Sequence, residues 1–599
     1  MMLGFDRILI LLTMLAGLVL PNPIGVPPLP EDPRLLGCAP ADSLAYVQWF
    51  GTAEAHPRSP NQTEQLAAEP EVRSFVAAIV DLLAGASSGL TARGVPELVG
   101  FLLRRPGCAF VTTEEDSPMP TGYGLVVDLG TQAESVAARV GEIIGSMQSS
   151  DARRTVEGVE YHILEAGGVD AGWAVHDGHL VFAYGPKSMR SAALGFANAH
   201  GLADNPRFAA ARRHVAVARP SLRTFVDVGV LFELLGRVER DAPAVLAALG
   251  FDSIQAYCAE SGLEGEGHVV RALLSTGERR GLLALFDGEV LTPSTLALVP
   301  ADATLAGVAR LDAARALRLV FDAFDEIEPR DARAAERWID ESVDRLFDLD
   351  LRDDLLAHLG DEWAVWSSPS EGSVLMLGAC ACVTLDDAAA FKKSFDQLVT
   401  RLDAMLPDGE SGRHGAFVSL EVLDHEGSRI HWLDVADGDL PFAPAFCVHG
   451  GKFWFATFPQ VLKAANSRPA GAPTLADISE LPADAAWHIH VDARSLLTTC
   501  YAPLLMLARA ATAELRQEGL RVDFAAVPRL GSIAAHLGAE TISLENHEAG
   551  LRVTSRGTIP HADPALALAG PLILRGLAVR AAALRQFEVR READEKARR

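Results

Sequence analysis

The chain has 599 residues, 49% of them hydrophobic, and a formal charge of -26. That is enough apolar material for a full core in each of two domains, and so acidic a chain excludes a nucleic-acid partner, whose binding needs a basic face to release counterions. Of the 53 basic residues 47 are Arg, a bias of composition rather than a phosphate-binding design.

At the N-terminus, Arg7 precedes the uninterrupted apolar run Ile8–Leu20, which Pro21 ends. Thirteen residues suit the core of a signal peptide and are short for a spanning helix, which needs about 20, so the chain is expected to be exported. No A-x-A cleavage site follows, which leaves a cleaved signal and an uncleaved membrane anchor both open. Leu35-Leu36-Gly37-Cys38 has the letters of a lipoprotein acylation box, but a Pro-rich spacer separates it from the apolar core it should follow, and lipidation is discounted. Residues 1–38 are assigned to this signal or anchor and its spacer.

Four Pro-initiated strands then organise the chain: Pro40-Ala-Asp-Ser-Leu-Ala-Tyr46, Pro220-Ser-Leu-Arg-Thr-Phe225, Pro300-Ala-Asp-Ala-Thr-Leu305 and Pro482-Ala-Asp-Ala-Ala-Trp487. The first and third lie 260 residues apart and the second and fourth 262, which reads as one unit present twice, over 39–290 and 291–560. Each unit continues with apolar residues at helical spacing, Val72–Ala84 and Ala313–Phe347. Strand pairs follow, at Ala109–Thr113 with Gly122–Leu129 and at Glu362–Ser367 with Val374–Val383. A helix then opens on Thr131-Gln-Ala-Glu134, a capping box, or on Thr384-Leu-Asp-Asp387, and the second of these carries the apolar stripe Phe391, Phe395, Leu398 and Leu402.

A β-meander closes the middle of each unit. Gly158–Leu164 matches Gly427–Leu433, and Trp173–Phe182 matches Phe446–Phe455, with tight turns at Asp177-Gly178 and Gly450-Gly451. Later, Ser253–Cys258 answers Ser532–His536. Hairpins with interspersed helices and no βαβ rhythm predict an α+β fold of two tandem homologous units, each an antiparallel sheet with helices packed on one face. The open face is then free for an apolar ligand, a partner or the sister unit. Residues 561–599 form a helical tail from Pro571 with eight basic and four acidic residues, whose Arg575, Arg580, Arg585 and Arg590 spiral round the helix instead of lining one side.

The run Phe347-Asp-Leu-Asp-Leu-Arg-Asp-Asp-Leu-Leu-Ala-His-Leu-Gly360-Asp-Glu-Trp-Ala-Val-Trp366 resembles the acidic-helix, glycine, strand segment of the domain-of-unknown-function 3352 family of exported bacterial proteins. With the Pro-Ala-Asp openings the likeness covers most of residues 39 to 558, although Leu98–Phe110 of the first unit lacks the acidic residues. The resemblance implies an envelope protein with no assigned chemistry, and it supplies no functional residues.

Several short motifs are weighed and set aside. Gly85-Ala-Ser87-Ser-Gly89 has the letters of a nucleophile elbow, but a helix instead of a strand leads into it, so Gly85 is expected to cap that helix. His425-Glu426 and His547-Glu548 lack the second His of a zincin and are expected in turns, and Gly185-Pro-Lys187-Ser188 has Pro where a P-loop needs Gly. Asp348, Asp350, Asp353 and Asp354 lack calcium-loop spacing and are expected at a helix start, where the dipole favours them. Cys380 and Cys382 alternate on one strand face as packed thiols; the other five Cys, at 38, 108, 258, 447 and 500, show no pairing spacing.

Histidine is the remaining candidate. His162 matches His431 and His176 matches His449, so each meander could bring two imidazoles together across strands, and His488-Ile-His490 puts two on one strand face. With no carboxylate or Cys at ligand spacing, no catalytic, cofactor or metal residue is assigned. The expectation is a non-enzymatic envelope protein that binds or scaffolds, its partner an apolar small molecule or another envelope protein, with membrane contact through the N-terminal segment only. The alternative is a periplasmic hydrolase or metal-dependent enzyme using the strand histidines.

Overall fold

A computed structural model describes residues 25–87, 100–113, 121–145, 152–166, 169–197, 201–373, 377–406, 418–435, 442–517 and 524–561. The apolar run Ile8–Leu20, the start of the strand expected from Val374 and the helical tail expected from Pro571 lie outside them.

The fold is α+β, built on one antiparallel sheet of twenty strands. In the first half these are β1 (Ala45–Phe50), β2 (Pro106–Thr112), β3 (Gly122–Asp128), β4 (Arg153–Val156), β5 (Val159–Ala166), β6 (Val169–His176), β7 (His179–Tyr184), β8 (Arg219–Val226), β9 (Ile254–Glu264) and β10 (Gly267–Thr276). In the second they are β11 (Leu305–Arg310), β12 (Leu359–Ser367), β13 (Cys380–Leu385), β14 (Val418–His425), β15 (Ser428–Val435), β16 (Ala445–His449), β17 (Lys452–Ala456), β18 (Ala485–Asp492), β19 (Ala539–His547) and β20 (Gly550–Gly557). Pairing runs β4-β5-β6-β7-β3-β2-β1-β8-β9-β10. It runs in the same order, ten strands on, from β14 to β20. The two runs meet edge to edge, β10 against β20, from His268 opposite Gly557 to Ser275 opposite Gly550. The second half therefore lies beside the first in one sheet, not against its face.

Four hairpin turns hold positive φ at both central residues: Glu157-Gly158, Asp177-Gly178, Glu426-Gly427 and Gly450-Gly451. This is the type I′ geometry, whose twist matches that of the flanking strands. It fixes the register that carries the rest of the sheet.

Helices cover both faces, not one. On the first face Tyr46, Cys108, Val181 and Phe225 pack with Leu35, Met189, Ala192 and Phe208 of the helices Arg34–Cys38, Pro186–Ala197 and Pro206–Val215. On the second face Trp49, Val127, Trp173 and Leu180 pack with Leu102 and with Val136 and Val140 of the helix Ala133–Gly145. The physical reason is visible along β7, where Val181 and Ala183 point to one face and Leu180 and Phe182 to the other, so each face needs a cover. The stripe Phe391, Phe395 and Val399 of the helix Ala388–Met405 covers part of the second face in the second half. Asp387 caps that helix by accepting from Ala389 N and Ala390 N.

The stretch Ala313–Phe347 is two helices, Ala313–Ile327 and Pro329–Phe347, because Pro329 cannot continue the first one. Residues 25–38, read as spacer, pack into the first half: Leu35 and Cys38 are fully buried, and Leu29 N donates to Phe50 O.

Candidate functional site

The register separates the meander histidines. His162 lies opposite Trp173 and His431 opposite Phe446, and each ring stacks on its aromatic partner, at centroid distances of 4.4 and 6.1 Å. His176 and His449 come three residues after those aromatics, an odd step that turns them to the other sheet face. There His176 meets the edge of Phe196. No metal or proton-handling pair forms across the strands. Burial lowers the pKa of His431, with Arg429 adding to the effect, and its Nδ1 has no hydrogen-bond partner.

His488 and His490 do share one face of β18, and both are buried. His488 is used up by two hydroxyls, Ser543 Oγ at 2.9 Å from Nδ1 and Ser479 Oγ at 3.0 Å from Nε2, and burial lowers its pKa to about 4. His490 is lowered by burial too, and its Nδ1 has no partner.

The remaining motifs resolve into local structure. The helix Pro70–Ser87 runs through Gly85 to Ser87, so Gly85 is helical and not a cap, and no strand leads into the serine. Lys187 Nζ is held by Asp42 Oδ2 at 2.5 Å and Thr113 O. His425 and His547 end β14 and β19 at their turns. Asp350 caps the turn Leu351–Leu355 through Arg352 N and Asp353 N, and Asp354 accepts from Asp350 N. Cys380 and Cys382 are buried on one face; burial pushes the first thiol well up and the second up to about 12, so neither supplies a thiolate.

Three polar assemblies are built from residues too far apart in the chain for any motif to show. In the first, Arg223 lies buried on β8; its Nε donates to Glu260 at 2.6 Å, and its Nη1 donates to Glu31 at 2.7 Å and Gln48 at 2.8 Å. Burial opposes its charge, but Glu260 and Glu31 outweigh that and raise its pKa. In the second, His179 at the start of β7 sits 2.8 Å from Asp32 of the Pro-rich segment, with Asp128 of β3 beside them. The third lies at the seam: Glu540 accepts from Thr558 N at 2.7 Å and Ile559 N at 3.1 Å, its other oxygen is 2.9 Å from His561 Nε2, and His561 Nδ1 is 3.0 Å from Ser555 Oγ.

That third chain has the acid, base and hydroxyl order of acyl-transfer enzymes. Ser555, however, is a buried mid-strand residue paired with Val270 and Ile542, and the two backbone N–H groups nearest the acid are already spent on Glu540. A Cβ at Gly557 would come within 1.4 Å of Glu540 Oε2, so that glycine makes room for the carboxylate. The group locks the end of β20.

One exposed surface among the described residues is apolar. On the second face of the second half a register row crosses Phe455, Ala381, Val365, Gly307 and Ile489, with Trp487 two residues before Ile489. Phe455 is 43% exposed, Val365 and Trp487 40% and Ile489 39%. In the first half the positions with the same pairings are Phe182, Leu125, Ala109, Val47, Thr224 and Leu222. There Phe101, Leu102 and Leu103 share a cluster with most of them. The segment ahead of β12 instead sends Leu355 into the cluster under Ala388–Met405, leaving the row open.

No protein-family model matches the chain, and no characterised protein matches it in sequence. Among solved structures it is similar to crystal forms III and I of TP0453. The identities are 12% and 11%, the matches cover 44% and 42% of this chain and 84% and 81% of that one, and both TM-scores are 0.22.

Proposed function

We propose that the protein is an exported cell-envelope protein, made of two tandem copies of one α+β unit, that binds an apolar small molecule and performs no chemistry on it. The duplication is supported by the pairing order that β11–β20 repeat from β1–β10, and by His162 and His431 each stacking on the aromatic opposite. Export rests on Arg7 and the Ile8–Leu20 run, and the envelope assignment on the resemblance to the domain-of-unknown-function 3352 family. No helix among the described residues is long and apolar enough to cross a membrane.

The observation that carries the binding reading is the open row from Phe455 to Ile489, flanked by Trp487. Four large apolar side chains are exposed where the matching first-half positions are buried, as at Leu222 and Thr224, or half-buried, as at Ala109 and Phe182, and contiguous exposed apolar surface marks binding sites. The enzymatic alternative has less support, because the meander histidines lie on opposite faces and Ser555 is buried.

A fluorescent fatty acid should bind the folded protein, and Ile489→Asp and Val365→Asp should abolish binding without unfolding it. Binding that survives both changes would count against this surface, and loss of another envelope protein in their place would make the partner a protein. Export is tested by fusing residues 1–40 to a reporter: Leu11→Asp with Leu12→Asp should hold it in the cytoplasm, since each charge costs about 2.5 kcal/mol or more on insertion.

A further inference from the structure

The geometry around His179 points to a metal site: we propose that Asp32, Asp128 and His179 bind one divalent transition ion that fastens the N-terminal segment carrying Asp32 to the sheet. His179 is fully buried at the first position of β7, directly opposite Asp128 at the last position of β3. Asp32 reaches them from just ahead of the helix Arg34–Cys38. One ligand atom from each of the three lies within 4.8 Å of the other two.

The ring's hydrogen bonds set what the site demands. Nδ1 is 2.9 Å from the carbonyl oxygen of Asp177, an acceptor, so Nδ1 carries a hydrogen and donates. Nε2 is 2.8 Å from Asp32 Oδ2, another acceptor. A positive charge must stand between Nε2 and the carboxylate, either a proton on the ring or a metal ion. Metal-bound histidines generally donate their other ring N–H to a carbonyl or carboxylate, the arrangement seen at Nδ1.

Asp128 separates the two possibilities. Its Oδ1 accepts from Gly130 N at 2.9 Å, and the carboxylate faces the pair without being needed by a bridging proton. For a metal it is the third protein ligand, with water completing the shell. One imidazole with two carboxylates suits zinc, cobalt or manganese, since magnesium and calcium prefer oxygen alone. Arg34 opposes binding: its N and Nε lie 3.1 Å from Asp32 Oδ1 and its Nη2 3.3 Å from Oδ2, taking every carboxylate position except the one facing His179. In the second half the residues with the matching pairing are Lys452 and Thr384, so a fixed ammonium stands where the first half has imidazole and the second carboxylate is missing.

The test is cobalt titration of the chelator-treated full chain, followed by visible absorption and by the thermal unfolding midpoint, with zinc as competitor. One ion per chain, displaced by zinc, and a rise in the midpoint are expected. Asp128→Asn keeps the bond to Gly130 and should weaken cobalt binding at least tenfold while leaving the metal-free midpoint near the parent's; His179→Gln should abolish binding. Arg34→Gln should tighten binding. Absence of cobalt absorption, or binding indifferent to both Asp128→Asn and Arg34→Gln, overturns the proposal and leaves a proton as the bridging cation.

Discussion

Arg223 and His488 occupy matching places in the two halves: Arg223 lies opposite Gln48 and Glu260, His488 opposite Val308 and Ser543. The first half fills this place with a permanent charge tied to two carboxylates, which draws in Glu31 and the segment that carries it. The second fills it with a neutral imidazole between two hydroxyls. The same backbone thus carries an ion network in one half and a small neutral chain in the other. The lesson is that register fixes which side chains meet, while sequence sets how strongly they hold.

The largest expected effect tests that contrast directly. Arg223→Met takes from buried Glu260 its closest cation, leaving Val217 N at 3.1 Å and Arg212 Nε at 3.4 Å, and should cost about 3–5 kcal/mol in urea unfolding. Adding Glu260→Leu should recover much of the loss, because the unpaired charge is then gone. His488→Ala should cost about 1–2 kcal/mol, the scale of its hydrogen bonds. Equal losses at the two positions would end the distinction between an ionic and a neutral node.

Acid sharpens it further. His488 has a folded pKa of about 4 against an ordinary 6.5, so the unfolded chain takes up the proton first as the pH falls. The stability held by the neutral ring is complete above pH 6.5 and drains between 6.5 and about 4, by roughly 2–3 kcal/mol. His268 at the seam, lowered by burial to about 3, acts in the same direction over a window that reaches lower. Arg223 does not titrate there. His488→Gln should therefore flatten the stability profile between pH 6.5 and 4, and an unchanged slope would show that the second-half node is not its source.

The open face gives the next comparison. Thr224 is buried and Ile489 exposed, although both sit in the same row. Thr224→Asp should cost about 3 kcal/mol or more through an unpaired buried charge, and Ile489→Asp less than about 1 kcal/mol. If both unfold the protein alike, the row is covered in solution. The smallest effect concerns the Thr224 hydroxyl, buried with no partner: Thr224→Val should be neutral or raise stability by up to about 1 kcal/mol in the same assay.

Much of the sheet was legible. Asp177-Gly178 and Gly450-Gly451 announced their turns because few other residues tolerate positive φ, whereas Glu157-Gly158 did not, and the strands at Ala45, Leu305 and Ala485 follow Pro-Ala-Asp openings. The sites were not legible. His179 carries no local signal that sets it apart, since its partner Asp32 lies 147 residues away. Ser555, His561 and Glu540 stand in no recognised spacing, and Arg223 looked like any strand arginine.

The sequence by itself determined the alternating strands, the tight turns and the spaced Pro-Ala-Asp openings, because these depend on neighbours a few residues apart. Only the tertiary structure decided that the halves join at β10 and β20, that helices cover both faces, and that the Phe455–Ile489 row stays open. Edge pairing needs only unpaired backbone groups, which every strand edge offers. Which edge is used, and which apolar face finds a cover, depends on contacts between residues hundreds of positions apart.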